Sequence, residues 1–496
     1  MPTKVDSRLA ALGLPADIVI GIVGSVIVLV TDTQSASLIT LTSRLQAEYS
    51  LTPEQVSWSL SSLTIAGAVA VPTLTRLGDR LGMRRLAVLG LVVSVIGNLL
   101  CAVVNGFVPL LIARSLLGLS AAVPLTYAIL RSRAESSKAT SRGVAIMTMA
   151  VGLGVAASFL MGGFIINVGG SVRTVFWTMT VLSVVALALA WYLLPDSKLR
   201  DVGQIDYGGA ILLAAALVAL VLPITEGNAW GWSSARVLAL FAVSAALFIV
   251  WAVYEARCPN PLINLKVVFN RSAGPAFVIA GMSTGVAIYV DLTEATYSET
   301  PKALFGYGLS ASVLRTAVYL LPLTIGSMST AAVAPRLIAR IGARETMFVS
   351  SVITVGTFLW LQQSHTAAST FVIANLIWGA CFGLIYTATT AAIFQSARPD
   401  EVGMFSSSNT VIAAAIAGIG PGVFTAVLTS QFIPHTPVPA PQVYDRLWIY
   451  AVVGAGIMAL LSLFVRAPKF SNELRTLADA RPVDVVRQRP DDVVSG

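Results

Sequence analysis

Long apolar runs dominate this chain of 496 residues. Each run has about 20 residues, the length that an α-helix needs to cross a hydrocarbon layer roughly 30 Å thick. A backbone in lipid must satisfy its own hydrogen bonds, and these runs are too long for barrel strands. The sequence therefore predicts an all-α integral membrane protein with 14 transmembrane helices, which we number as spans. Their approximate ranges are 18–41, 53–75, 86–105, 107–130, 143–168, 174–194, 206–226, 234–254, 273–297, 310–333, 345–363, 367–391, 405–431 and 447–465.

The composition excludes several classes of protein. Hydrophobic residues make up 56% of the chain and charged residues only 11%, against roughly 25% charged residues in soluble domains. The three cysteines, Cys101, Cys258 and Cys381, lack metal-ligand spacing and imply no disulfide framework. No phosphate-cradling Gly-x-x-x-x-Gly-Lys sequence and no soluble catalytic domain is found. We therefore expect no catalytic residues, no metal and no cofactor, and do not expect an enzyme.

The basic residues predict the orientation. Connections on one side of the predicted spans hold most of the Lys and Arg residues, whereas those on the other side hold only Arg44, Arg173, Arg236, Lys302 and Arg446. Short cytoplasmic loops carry such an excess of positive charge. Both termini are therefore predicted to be cytoplasmic. The net charge of +8 belongs to these loops, so we expect no nucleic-acid partner.

A short motif follows the second span. The segment 75–85 reads Thr-Arg-Leu-Gly-Asp-Arg-Leu-Gly-Met-Arg-Arg and places Asp79 among several arginines. It resembles the cytoplasmic-loop signature of the major facilitator superfamily, with Thr75 in place of the leading glycine. A weaker copy without the acid occurs at 339–344, as two related repeats would produce. The resemblance implies that the loop helps to gate conformational change, and its motif residues are Asp79, Arg80, Gly82, Arg84 and Arg85.

Further similarities point to one branch of that superfamily. The sequence Gln-Ile-Asp-Tyr-Gly-Gly at 204–209 looks like the start of the extra helix pair in fourteen-span drug:proton antiporters. Arg114 lies in a segment similar to the superfamily's arginine motif, and Asp32 stands where this branch carries an acid. The resemblance implies two six-helix bundles with two extra helices between them, a central cavity and alternating access.

The implied organisation divides the chain into five parts. They are a cytoplasmic N-terminus at 1–17, an N-terminal six-helix bundle at 18–194, the extra helix pair at 195–260, a C-terminal six-helix bundle at 261–466, and a disordered cytoplasmic tail at 467–496. The N-terminus lacks a compact apolar stretch with a cleavage site, so we expect no cleaved signal peptide.

Span 5 departs from the branch. A Gly-Pro element linked to antiport is expected there, but the chain has Ser158 followed by Phe159. Gly154, Ser158 and Gly162 still recur every four residues and predict a small-residue face that lets another helix approach closely. We therefore include these three residues among the candidates for conformational gating.

Two charged residues are predicted at similar depth in the membrane. Counting about 1.5 Å per residue, Asp32 lies roughly 9 Å and Arg114 roughly 10 Å below the outer edge of the hydrocarbon layer. Charged residues inside a membrane are costly and mark ion or substrate pathways. We predict that Asp32 carries a proton under the influence of Arg114. The alternative is a fixed structural ion pair.

Other polar residues are candidates for transport. Gln34 and Ser35 lie in a polar stretch around Asp32 and are predicted to line the substrate cavity, together with Arg315 of span 10. Asp291 and Glu294 are three residues apart and share a face of span 9. They are predicted to contribute to proton coupling, with a position in a solvated mouth as the alternative.

These observations favour a multi-pass transporter of the cytoplasmic membrane. The leading hypothesis is a proton-coupled exporter of small amphipathic molecules such as drugs, dyes and antibiotics. One alternative is a dedicated exporter or symporter of one lipid, antibiotic or metabolite. A second alternative, from another class, is a transport-inactive membrane sensor or partner subunit. The expected partners are a small-molecule substrate, protons and the lipid bilayer, and we expect a monomer.

Overall fold

The structure is a computed structural model. It describes residues 15–133, 136–197, 206–259, 261, 263, 265–268, 273–396, 402–436 and 438–466. The predicted cytoplasmic N-terminus lies almost wholly outside the described residues, and the predicted disordered tail lies wholly outside them. The described part is built from helices, as predicted.

Thirteen helical stretches of the described chain are long and apolar enough to cross a membrane. They correspond to predicted spans 1 to 10 and 12 to 14. Their bounds are Ala16–Tyr49, Pro53–Leu81, Met83–Val103, Phe107–Arg133, Arg142–Asn167, Val172–Leu193, Tyr207–Trp230, Ala235–Arg257, Gly274–Glu299, Val313–Ile341, Ala368–Gln395, Ser408–Leu428 and Pro441–Phe464. Short helices at Leu265–Val268 and Lys302–Phe305 lie in the connections before spans 9 and 10.

Predicted span 11 is also a helix, Ala343–Ser364, but it is less apolar than the others. Its polar residues include Ser350, Ser351, Thr354 and Thr357, and all four are buried inside the protein. The helix packs on spans 12 and 14. At 22 residues and about 1.5 Å per residue it is long enough to cross a bilayer. A total of 14 spans stays a prediction.

Three spans are interrupted where the sequence predicts continuous helices. Span 1 consists of Ala16–Ala36, a 3-10 turn and Thr42–Tyr49, and it ends later than predicted. Span 4 is broken between Gly118 and Ala122. Span 13 is broken at Gly418 and Ile419, just before the glycine and proline that begin its second piece. Proline lacks a backbone N–H, so a helix is readily interrupted there.

The helices form two bundles. In the first, span 1 packs on spans 5 and 6, and span 3 packs on spans 4 and 6. In the second, span 10 packs on span 12, and span 9 packs on spans 13 and 14. The bundles meet along two seams, one between spans 5 and 10 and the other between spans 2 and 13. We call the end of the molecule that carries Arg76 to Arg85 the basic end, and the other the opposite end.

The extra helix pair lies against one of these seams. Span 7 packs on span 8, on span 2 and on span 13. Near its C-terminus, the side chain of Asn228 donates hydrogen bonds to the carbonyl oxygen of Ala426, at 2.5 Å, and to the hydroxyl of Thr429, at 2.9 Å. Span 7 is thus attached to the second bundle at the opposite end.

Small residues bring spans 10 and 12 very close together. Gly379 and Gly383 of span 12 lie one helical turn apart. A Cβ atom on Gly379 would lie 2.6 Å from the carbonyl carbon of Leu323, and one on Gly383 would lie 2.6 Å from the hydroxyl of Thr330. Glycines at this spacing allow the close approach of helix backbones in membranes.

Candidate functional site

Asp32 lies where the two bundles meet. Its side chain packs against Gly154 of span 5, since a Cβ atom there would be 3.0 Å from the Cβ atom of Asp32. Asp32 also interacts electrostatically with Tyr127 of span 4 and with Tyr386 of span 12, which belong to different bundles. Within the described chain, its Oδ2 atom is shielded from solvent and has no hydrogen-bond partner. The carboxyl group is therefore placed to respond to the relative position of the bundles.

Arg114 is fully buried but forms no ion pair with Asp32 in the described structure. Its Nε atom donates a hydrogen bond of 3.1 Å to the carbonyl oxygen of Ser59. Its Nη1 atom donates one of 2.9 Å to the carbonyl oxygen of Gln34. Arg114 thus joins span 4 to spans 1 and 2. Arg114 contacts the carbonyl oxygen of Gln34, two residues from Asp32, but it does not pair directly with the Asp32 side chain in the described structure.

The three predicted cavity residues do not line one cavity. The amide of Gln34 donates a hydrogen bond of 3.0 Å to the hydroxyl of Ser183 in span 6, inside the first bundle. The Ser35 hydroxyl is exposed and donates a hydrogen bond of 3.1 Å to the carbonyl oxygen of Thr31. Arg315 is exposed near the start of span 10. The structure therefore does not bring these residues together.

The two acids of span 9 lie inside the second bundle. Asp291 and Glu294 are both buried, and Glu294 interacts electrostatically with Asp291. The amide of Asn375 in span 12 donates hydrogen bonds to the Oε2 atom of Glu294, at 2.5 Å, and to the carbonyl oxygen of Tyr319, at 2.9 Å. Asp291 Oδ1 and Glu294 Oε1 have no hydrogen-bond partner among the described residues. The structure thus places the pair in the protein interior, not in a solvated mouth.

The arginine-rich motif at the basic end, which the sequence predicts to take part in gating, is organised around Asp196, a residue that was not predicted. The Asp196 side chain accepts a hydrogen bond of 3.3 Å from the backbone N–H of Arg84, and its Oδ2 atom would lie 3.1 Å from a Cβ atom on Gly82. Its backbone carbonyl accepts a hydrogen bond of 2.7 Å from Arg133. Asp196 thereby connects the loop after span 2 and the end of span 4 to the end of span 6.

The remaining motif residues lie around the same turn. Asp79 and Arg80 occupy the last turn of span 2, and Arg85 is exposed in the first turn of span 3. Gly82 joins the two helices with φ of 104°, a conformation that side chains with a Cβ atom rarely adopt. Arg76 donates a hydrogen bond of 2.7 Å to the carbonyl oxygen of Pro261, beyond span 8.

The small-residue face of span 5 lies against span 1. A Cβ atom on Gly162 would lie 3.3 Å from the Cδ1 atom of Leu41. Ser158, which lies between Gly154 and Gly162 on this face, is buried. Its hydroxyl donates a hydrogen bond of 2.6 Å to the carbonyl oxygen of Val155. The opposite face of span 5 contacts span 10, where a Cβ atom on Gly163 would lie 2.7 Å from the Cα atom of Leu314. Span 5 is therefore packed between span 1 of its own bundle and span 10 of the second bundle.

A cavity of about 580 Å³ opens between the bundles at the opposite end. Its walls come from both bundles and include Leu60, Leu292, Phe305 and Phe424. Two charged residues also line it, Arg44 and Glu299. From the sequence, Arg44 served only to predict the orientation, and Glu299 was not recognised as a candidate. Their positions in the sequence do not predict this, because Arg44 and Glu299 reach the same cavity only through the packing of the two bundles.

Two bundles that meet along two seams, with a buried carboxyl group at their junction and a cavity between them, define a membrane transporter. Residues 23–421 match the family model of the Major Facilitator Superfamily. The chain belongs to this family, and the resemblance seen in the sequence is confirmed. It is therefore a multi-pass membrane transporter with a small-molecule substrate.

Similar proteins extend along most of the chain. The "Multidrug resistance protein Stp" of Mycobacterium tuberculosis is 25% identical over 81% of this chain and 75% of its own length. "Multidrug resistance protein 3" of Bacillus subtilis is 24% identical over 76% of this chain and 73% of its own length.

Solved structures share the fold. The nucleoside transporter NupG has a TM-score of 0.63 at 12% identity and covers 90% of this chain and 99% of its own. PepTSo2 has a TM-score of 0.61 at 16% identity and covers 90% of this chain and 98% of its own. The predicted major-facilitator-type fold is thereby confirmed.

Proposed function

We propose that the protein is a proton-coupled exporter of small amphipathic molecules that works by alternating access. In this proposal the basic end faces the cytoplasm, since basic loops are retained there. The relatives named as multidrug resistance proteins support the export of drug-like compounds. Asp32 is the proton carrier, and the observation on which this depends is its position between the bundles.

The surroundings of Asp32 support this role. Gly154 leaves room for the carboxyl group beside span 5, and tyrosines of both bundles interact with it. When the bundles rock, the distance from Asp32 to Tyr386 must change, because they belong to different bodies. A carboxyl group with a free oxygen then meets a different environment in each state. Intramembrane acids in such places form proton relays.

The energetics are adequate for export. One elementary charge moved through 100 mV is worth about 2.3 kcal/mol, which corresponds to roughly fiftyfold accumulation. Arg114 contributes by holding the segment around Asp32 through the carbonyl oxygen of Gln34. In this proposal Arg114 positions the carrier and does not neutralise it.

Asp291 and Glu294 form a second candidate for proton binding. Asn375 fixes one oxygen of Glu294, while Asp291 keeps an oxygen without a partner. Two neighbouring carboxyl groups that interact titrate as a pair. We propose that this pair keeps one proton bound throughout the cycle, whereas Asp32 takes up and releases a different proton.

The experiment uses purified protein in proteoliposomes and follows proton movement with a pH-sensitive dye when a substrate dye is added. We expect Asp32→Asn to abolish substrate-induced proton movement and concentrative export. Asp445→Asn is the matched control, because Asp445 is an acid at the opposite end whose side chain is half exposed. Export by the Asp32→Asn variant at the rate of the unsubstituted protein would contradict the proposal.

Substrate breadth is tested separately. Cells with and without the protein are compared for growth on a panel of unrelated dyes and antibiotics, and protection against many of them is expected. Protection against a single compound would favour a dedicated exporter. A sensor or partner subunit would give no protection and no proton movement.

A further inference from the structure

Two acidic residues meet at the basic end, between the helices of the extra pair. Asp206 immediately precedes span 7, and Glu255 lies in the last turn of span 8. Only 4% of Asp206 and 2% of Glu255 is exposed. The Oδ2 atom of Asp206 and the Oε2 atom of Glu255 would both contact a Cβ atom on Gly209, the second of them at 2.8 Å, and the two carboxyl groups are hydrogen bonded to each other. This buried acidic pair takes no part in the proposed function.

A hydrogen bond between two carboxyl groups requires a proton. An ionised carboxylate is an acceptor only, and two carboxylates in direct contact cannot both be ionised. Coupled groups of this kind take up and release protons as a pair. Asp206 and Glu255 therefore share one proton as long as the contact between them persists.

The surroundings of the pair favour a proton on Glu255. The Oδ1 atom of Asp206 accepts a hydrogen bond of 2.7 Å from the backbone N–H of Gly209 and so caps the N-terminus of span 7. A negative charge is stabilised there by the helix dipole. The Oε2 atom of Glu255 is buried and receives no hydrogen bond from a donor in the described chain. A proton on that atom turns it into the donor that the contact with Asp206 requires.

The titratable groups that face the pair from neighbouring elements of the described chain are a tyrosine, a cysteine and an arginine. Tyr254 of span 8 is hydrogen bonded to Asp206 and interacts electrostatically with Cys258, just beyond the helix. Arg76 of span 2 interacts electrostatically with Glu255. Arg76 places one positive charge beside the pair, which suits one shared negative charge better than two.

Glu255 also binds the chain that leads to the second bundle. Its Oε1 atom accepts a hydrogen bond of 2.6 Å from the backbone N–H of Ile263, a buried residue. The carbonyl oxygen of Pro261 accepts the hydrogen bond from Arg76 described above. Farther along the chain, the short helix Leu265–Val268 contacts spans 8, 9 and 13. The carboxyl pair thus lies where the extra pair, the first bundle and the second bundle are joined at the basic end.

We propose that Asp206 and Glu255 form a proton-binding site that controls how the connection to the second bundle is attached to the extra helix pair. While Glu255 is protonated, its carboxyl group bridges Asp206 and the N–H of Ile263. Loss of the proton sets two negative charges against each other, so Glu255 turns away from Asp206 and releases the N–H of Ile263. The site is distinct from Asp32, and in the proposed orientation it responds to the pH of the cytoplasm. Proton binding itself does not depend on that orientation.

The first test follows hydrogen exchange at the amide of Ile263, resolved through overlapping peptides by mass spectrometry of the full-length protein in detergent micelles. After correction for the intrinsic pH dependence of exchange, we expect about tenfold faster exchange at alkaline than at mildly acidic pH, because the hydrogen bond to Glu255 is lost. Glu255→Gln should remove this response, since the glutamine amide keeps both contacts without a titrating proton. Glu345→Gln, at an exposed acid of the helix Ala343–Ser364, should leave the response unchanged.

A second measurement observes the proton directly. Infrared difference spectra between the same two pH conditions report the carbonyl stretch of protonated carboxyl groups. We expect a band that is present at mildly acidic pH, is lost at alkaline pH and is missing from Glu255→Gln. Asp206→Asn should also lack the band, because an amide beside Glu255 donates to an ionised carboxylate and leaves no proton to share. This second variant keeps the test decisive if Glu255→Gln does not fold.

Three results would overturn the proposal. They are equal corrected exchange at Ile263 under both conditions, a pH response that persists in Glu255→Gln, and an infrared difference spectrum that neither substitution changes. Both measurements are made without substrate and without transport. A failure of Asp32→Asn to impair export therefore leaves the proton site standing, and a failure of the proton site leaves the export proposal standing.

Discussion

The contact between spans 10 and 12 yields a prediction for stability. Replacing Gly379 by alanine puts a methyl group against the backbone of Leu323, at 2.6 Å from its carbonyl carbon and 2.7 Å from its Cα atom. Ordinary van der Waals contact begins near 3.4 Å. The contacted atoms of Leu323 belong to the helix backbone, so they cannot move away by a change of rotamer as side-chain atoms can. The methyl group would lie nearer still to the carbonyl oxygen of Leu323, so the helices must separate by more than an ångström.

The magnitude follows from two opposing effects. Overpacking of a well-packed interior costs about 3 kcal/mol at the upper end of its usual range. Alanine in place of glycine within a helix gains about 1 kcal/mol. We therefore expect Gly379→Ala to lower the free energy of unfolding by about 2 kcal/mol.

Gly356 of the helix Ala343–Ser364 provides the matched control, because a Cβ atom there has no neighbour within 4 Å. Gly356→Ala should raise the free energy of unfolding by up to about 1 kcal/mol. Reversible unfolding in mixed detergent micelles, followed by circular dichroism, measures both variants. A difference between them of less than about 0.5 kcal/mol, which is typical of inconsequential substitutions, would refute the packing argument.

Two further predictions concern the surroundings of Asp32. Gly154→Ala places a methyl group 3.0 Å from the Cβ atom of Asp32. Displacing the carboxyl group by a few tenths of an ångström should slow export about tenfold, since a displacement of 1 Å costs roughly a hundredfold. Gly356→Ala meets no atom within 4 Å and should export normally, and equal rates for the two variants would contradict this. Arg114→Lys cannot keep both carbonyl contacts and should destabilise the protein by about 2 kcal/mol. Unchanged stability in the same micelle assay would count against the role of Arg114 as a connector of spans.

The sequence predicts the helices well because hydropathy is a local property. It predicts span 11 from the length of its run, although buried hydroxyls such as Ser350 and Thr354 make the helix less apolar than the others. The breaks in spans 1 and 4 are not predicted. Span 4 is interrupted beside Gly118, which lies against the backbone of span 2. Such a break depends on a neighbour that is distant in sequence.

The candidate site is predicted only in part, because depth along a helix says nothing about direction around it. Successive residues point about 100° apart, so Gln34 faces span 6 while Ser35 is exposed. Arg114 donates to backbone carbonyl oxygens and not to Asp32. Asp196 and Glu299 acquire partners only through tertiary contact. In the sequence alone, Asp196 and Glu299 cannot be distinguished from other charged residues at helix ends.

The position of span 7 makes the two seams unequal. Because span 7, backed by span 8, lies against spans 2 and 13, that seam is covered from the acyl chains, whereas the seam of spans 5 and 10 has no such cover among the described helices. Of the two seams between the described helices, only the one formed by spans 5 and 10 is therefore left facing the acyl chains. Bulky residues introduced along that seam should exclude membrane-dissolved compounds while leaving water-borne ones unaffected.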